Sequence, residues 1–250
     1  MTLSSLGVIL ALGGLLTLVG AIVTLTLRRG DVRGAQWVDC ALIAGVAAVI
    51  GGRAGHVLLQ WGYFADHTDE IVRFTAGGTN AEFALLAGTF GLLVGGRWRH
   101  VPDAVLLDAF ALALPVLMMA GWIGCATAVC GWGKEVTTLA DFPSWAVSWS
   151  RDIYSGYAPR YNTQGYGLAW GALWLIVGGV MIWRRWGVGR RYWLLVAGVS
   201  LGMALIGFWR ADPVPILLGV RADQGVALVT AAWGLALFTM TRLKASRRSQ

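Results

Sequence analysis

The chain has 250 residues, of which 57% are hydrophobic and only 13% charged, against about 25% charged in an ordinary water-soluble domain. A soluble fold of this composition could not cover its own surface, so a membrane-spanning protein is expected. The net charge of +7 needs no nucleic acid to explain it, because most of the basic residues flank apolar runs.

The apolar residues fall in seven runs, at 6 to 27, 37 to 61, 81 to 96, 104 to 125, 166 to 183, 192 to 209 and 224 to 241. Each approximates the 17 to 25 residues, roughly, that a helix needs to cross the hydrocarbon. None alternates apolar and polar positions as a transmembrane strand would. The fold class expected is therefore an all-α membrane protein: seven transmembrane helices with a small extracytoplasmic cap. The first run has no basic leader and precedes Arg28 and Arg29, so it reads as a retained helix. One integral membrane domain over 1–250 is expected.

Alternate connections carry Arg28, Arg29 and Arg33; Arg97 and Arg99; Arg184, Arg185, Arg190 and Arg191; and Arg242, Lys244, Arg247 and Arg248. The positive-inside rule puts these in the cytoplasm, the N-terminus outside and the C-terminus inside. The opposite connections include 62 to 80, which ends in Gly77-Gly78-Thr79-Asn80, and a Trp- and Tyr-rich stretch from about 126 to 165. That stretch is too long for a turn and too short for its own core, and is read as the cap.

Cys125 and Cys130 lie five apart on the side where disulfides persist. Spacing leaves a disulfide and two buried thiols equally open. Cys40 is read as packing, and no metal site is expected from this cysteine usage.

Ionisable residues within spanning helices are costly and hence functional candidates. Asp39 and Asp108 sit near helix starts, where a carboxylate favours the helix dipole, and are read as structural. Arg53, among small residues, requires a carboxylate, carbonyl oxygens or a phosphate; phosphate binding and a pair with Glu82 stand level. Glu82 follows the double glycine and is either an active-site carboxylate or a counter-ion to Arg53 or Arg210. His56 reads more readily as packing than as a base.

Taken in order, Gly51-Gly52-Arg53-Ala54-Gly55-His56-Val57-Leu58, Gly77-Gly78-Thr79-Asn80-Ala81-Glu82, Asp108 with Pro115, Gly121-Trp122-Ile123-Gly124-Cys125, Cys130-Gly131-Trp132-Gly133-Lys134 and Asn162-Thr163-Gln164-Gly165-Tyr166 resemble the prolipoprotein diacylglyceryl transferase family. That resemblance implies seven helices, an outer cap and location in a bacterial plasma membrane. It further implies transfer of a diacylglyceryl group from phosphatidylglycerol or a related phospholipid to the lipobox cysteine of a preprolipoprotein, with glycerol phosphate released and no cofactor. By resemblance, Glu82 stands at the family's histidine and is the candidate base. Arg210 is a catalytic candidate and Arg53 a phosphate contact, with Asn80, Gly133, Thr163, Gln164 and Asp212 lining or supporting the site. The family's signature arginine falls at Trp122, its asparagine at Cys125, a glutamate at Cys130 and a tyrosine at Leu6; the cysteine pair resembles a divergent branch. Two other readings remain: a catalytically inactive homologue that binds lipid or a membrane partner, and an unrelated seven-helix transporter or receptor. A retinal protein is disfavoured, since 224 to 241 holds no lysine.

Overall fold

The computed structural model describes residues 34–74, 77–154 and 156–247. The expected first run, 6 to 27, lies outside the described residues. The bundle contains α1 (Gly34–Leu59), α2 (Trp61–Phe64), α3 (Ala81–Trp98), α4 (Asp103–Phe110), α5 (Ala113–Ala128), α6 (Thr163–Trp183), α7 (Arg191–Ile206) and α8 (Ala222–Arg247). Two hairpins occupy connections: β1 (Val147–Arg151) with β2 (Tyr157–Tyr161), and β3 (Ile216–Leu217) with β4 (Val220–Arg221).

Among the described residues five segments are long and apolar enough to cross a membrane: Gln36–Leu59, Asp103–Ala128, Thr163–Trp183, Arg191–Trp209 and Ala222–Thr241. The expected run at 81 to 96 forms α3, whose 18 residues include Glu82 and Arg97; it is not one of those five. The expected run at 104 to 125 is two helices, interrupted after Phe110 and resumed at Ala113.

In lipid, helices gain nothing by hiding apolar surface from one another, so association depends on close contact between small residues. The α1–α3 pair shows this. An added Cβ at Gly51 would collide with Ala87, one at Gly55 with Phe83, and one at Gly91 with Ala47 and the Ile43 carbonyl. The same logic seats Trp174 and Trp170 of α6 against Gly198 and Gly202 of α7, and the Trp170 indole donates to the Gly198 carbonyl at 2.8 Å. Helix α7 is the most enclosed of the five spans.

One end of the bundle is a basic, structural end. Asp39 pairs with Arg99 at 3.1 Å. Asp108 accepts from the Gly189 amide at 2.6 Å and the Arg191 amide at 3.2 Å, capping the start of α7. Buried Arg191 donates to the Trp186 carbonyl. The functional candidates gather at the opposite end.

Candidate active site

Six helix ends build that opposite end: the last turns of α1, α5 and α7 and the first turns of α3, α6 and α8. Asn80 caps α3, its side-chain oxygen accepting from the Glu82 and Phe83 amides at 3.0 and 3.1 Å. The cap fixes Glu82 in the first turn, pointed into the bundle. Its carboxylate is 3% exposed and accepts from the Ser200 hydroxyl of α7 at 2.8 Å, with Thr230 of α8 also beside it.

Arg53 is not the partner of Glu82, as one reading of the sequence had it. Its Nε donates to the Ile71 carbonyl at 2.9 Å, one terminal nitrogen to Gly77 and Gly78 at 2.5 and 3.0 Å, and the other to Glu70 at 2.6 Å. Gly77 and Gly78 have φ of 86° and 81°, a conformation natural to glycine, and their carbonyls turn back toward the guanidinium. Arg53 therefore holds residues 70–71 and 77–78 together through their backbone oxygens. His56 lies against Gly78, where an added Cβ would strike its ring.

Cys125 and Cys130 are joined by a disulfide, with their Cα atoms 4.6 Å apart. The loop it closes leads into Gly131 and Gly133. Thr163 donates to the Gly131 carbonyl at 2.6 Å and the Gln164 amide to the Cys130 carbonyl at 3.1 Å, so this pair holds the loop from α6. Gly133 bridges to Arg210, and a Cβ there would collide with the Tyr161 backbone. Trp122, 4% exposed, fits against Gly167 and Gly131, with the Arg210 guanidinium 6.0 Å from its ring centre.

Arg210 makes a two-pronged pair with Asp212, Nε to Oδ1 at 2.8 Å and a terminal nitrogen to Oδ2 at 2.5 Å. It also meets Asp223 at 3.2 Å. Arg221 closes the ring, reaching Asp212 at 3.2 Å and Asp223 at 3.0 Å. Burial alone would raise the Asp212 carboxyl, but the guanidinium groups of Arg210 and Arg221 outweigh it and hold the carboxyl below its usual value. For Arg221, burial opposes the charge and the two aspartates more than restore it.

Arg221 and Asp223 were missed in the sequence reading, although a signal exists. Arg210-Ala211-Asp212 recurs as Arg221-Ala222-Asp223, and the two triplets form the ring. Arg160 was also missed: it is buried and binds Glu135 at 2.6 Å and Asp152 at 2.9 Å, bracing the β1–β2 hairpin. An apolar cleft of about 360 Å³ opens beside the ring between α3, α8 and the β3–β4 hairpin, with Arg221 and Thr230 in its lining.

Fold and site define a polytopic helical membrane protein with a guanidinium and carboxylate cluster beside a lateral apolar cleft. The chain belongs to the prolipoprotein diacylglyceryl transferase family, whose model matches residues 1–240. It is 28% identical over 246 residues to the phosphatidylglycerol–prolipoprotein diacylglyceryl transferase of Corynebacterium glutamicum (strain R), covering 87% of this chain and 73% of that one. Its identity to the enzyme of the same name from Corynebacterium efficiens is 29% over 249 residues, 90% and 74% of the two chains. With that of Limosilactobacillus reuteri (strain DSM 20016) it is 31% over 180 residues, 66% and 59%.

Proposed function

We propose that this chain transfers the diacylglyceryl group of phosphatidylglycerol, or a related phospholipid, to the lipobox cysteine thiol of a preprolipoprotein. The observation that carries the reading is the placement of Glu82 and the Arg210–Arg221 pair at one bundle end beside an apolar cleft, in a chain matched by the family almost throughout. In the reaction a thiol loses its proton, a sulfur–carbon bond forms to the glyceryl carbon, the carbon–oxygen bond to phosphate breaks, and glycerol phosphate leaves. It needs a proton acceptor and cations for the departing phosphate. We assign the first role to Glu82 and the second to Arg210, with Arg221 as the second guanidinium. Asp212 orients both arginines. Asn80, Gly133, Thr163 and Gln164 position the surrounding backbone, and Arg53 holds residues 70–71 and 77–78 in place.

The same reading takes the protein as one integral domain of seven spans, the first lying in the 6 to 27 run. It places 126–165 as an outer cap, the N-terminus outside and the C-terminus in the cytoplasm of a bacterial cell. A lipid-binding homologue without chemistry is the competing reading, favoured by the neutral balance of the ring, in which two aspartates already face two arginines. Reconstituted protein, phosphatidylglycerol labelled in its diacylglyceryl part and a lipobox peptide separate the two. Label transferred to the peptide supports the enzyme, and lipid binding without transfer supports its competitor.

A further inference from the structure

Helix α5 ends in a backbone conformation that valine disfavours. Among the described residues four non-glycine positions have positive φ, and of these only Val129 is β-branched, with φ of 55°. Its ψ is 50°, which puts it in the left-handed region, where Cβ crowds the following carbonyl oxygen. For a β-branched side chain that is a genuine outlier, and such a residue persists only where its surroundings over-determine it.

What over-determines Val129 is the disulfide. The Cys125 carbonyl accepts from the amides of both Val129 and Cys130, the latter at 3.0 Å. Helix ends of this form commonly place glycine at the left-handed residue, with an apolar contact from the next residue back to the last turn. Here the left-handed residue is valine, and the contact is the covalent bond between Cys125 in the last turn and Cys130 directly after Val129.

The residues that follow carry the backbone of Arg210. The Ala211 amide donates to the Trp132 carbonyl at 2.9 Å and the Lys134 amide to the Trp209 carbonyl at 2.8 Å. Residues 132–134 are therefore an extended partner to 209–211, with Gly133 opposite Arg210. On its other side this partner is fixed to β2, the Tyr161 amide donating to the Lys134 carbonyl at 3.1 Å. Gly131 comes close to the guanidinium itself: a Cβ added there would stand 3.8 Å from the Arg210 Nε. Thr163 and Gln164 steady the loop from α6, but the disulfide sets the point at which the chain leaves α5. Both cysteines are partly exposed, so a small dithiol can reach the bond.

We propose that the Cys125–Cys130 disulfide is a redox-controlled clamp on Arg210. Oxidised, it keeps Val129 left-handed and delivers 132–134 to the backbone of 209–211. On reduction the sulfur–sulfur bond breaks and an external dithiol supplies two electrons and two protons, leaving two thiols here and a disulfide on the reductant. Val129 then relaxes out of the left-handed region, α5 is no longer stopped at Ala128, and 132–134 loosens from 209–211. The clamp reaches Arg210 through the backbone, so Cys125, Val129 and Cys130 are positioning residues. Its effect on diacylglyceryl transfer rests on the proposed function; the clamp itself does not.

The test compares purified wild type with Val129→Gly, each oxidised and each reduced by dithiothreitol, with reduction verified on an aliquot by thiol labelling. Glycine takes the left-handed conformation without strain, so the variant should not need the bond. Hydrogen exchange at the Lys134 and Ala211 amides should quicken on reduction in wild type and stay unchanged in Val129→Gly. Transfer of the diacylglyceryl label to a lipobox peptide should fall by about 10²-fold in reduced wild type, the scale of a misplaced catalytic group. It should return on reoxidation and persist in reduced Val129→Gly. Exchange that ignores reduction in wild type, or quickens equally in both proteins, would overturn the clamp. Transfer that ignores reduction while exchange responds would overturn its hold on Arg210. Wild type without transfer in either state would remove the transferase reading, and exchange alone would then decide the clamp.

Discussion

Glu82 occupies a position that is costly for a carboxylate, and among the described residues its hydrogen-bond donor is a hydroxyl and not a guanidinium. This separates two consequences of removing its charge. Glu82→Gln keeps size and hydrogen-bonding capacity, so thermal stability in detergent should hold while diacylglyceryl transfer falls by about 10²-fold or more. A counter-ion would behave oppositely, with instability leading the loss. Asp212 gives the pH counterpart. Its carboxyl is held below the ordinary value in the folded protein, so it contributes stability above the unfolded value, about 4, and that contribution is lost as pH falls through the lowered folded value. Melting temperatures should therefore drop at the acid end of that range in wild type, and the drop should be shallower in Asp212→Asn, which is also the less stable protein at neutral pH. Equal acid dependence in the two would remove the ring as its cause. Arg210 and Asp212 were legible because they sit together just past an apolar run. Their partners were not, because the second triplet meets the first only when the hairpin between them closes.

At the scale of elements, five of the expected spans were legible among the described residues because hydrocarbon thickness sets a length that composition must satisfy. The break between Phe110 and Ala113 is easily passed over because apolar residues continue through it, although Pro115 marks it: proline has no N–H for the Ala111 carbonyl four residues back and its ring crowds that oxygen. Both hairpins escaped for a related reason: strands of five and two residues carry too few positions to show alternation. The role of Arg53 escaped because its partners are carbonyls, which every residue possesses, so no side-chain pattern announces them. The glycine contacts between α1 and α3 yield a direct test. Gly91→Val would press branched carbon onto the Ile43 carbonyl, and overpacking of this kind costs about 1–3 kcal/mol or more. The variant should melt lower and release lipid sooner in detergent, whereas Gly45→Val, where an added Cβ meets nothing within 4 Å, should match wild type. The disulfide belongs to the same scale. Mass mapping without reductant should recover Cys125 linked to Cys130 and Cys40 as a thiol; free thiols at both would leave the loop under the Arg210 bridge without its covalent anchor.

The whole molecule divides into a basic end that caps and pairs its charges and an opposite end where Glu82, the arginine ring and the cleft converge. The proposed orientation puts the basic end in the cytoplasm. With Ser148 in β1 and Gly187 in the α6–α7 connection, an impermeant thiol reagent applied to intact cells should label Ser148→Cys and spare Gly187→Cys, and reversed labelling would invert the protein and place the chemistry on the wrong side. The claim that unites residue, element and molecule is that this end performs diacylglyceryl transfer. The most direct test is purified protein in phosphatidylglycerol bilayers, with label in the diacylglyceryl part and a lipobox peptide as acceptor. Labelled thioether on the peptide cysteine, dependent on Arg210 and Glu82, is the expected result. A folded, lipid-retaining protein that transfers no label at any phospholipid composition would contradict the account.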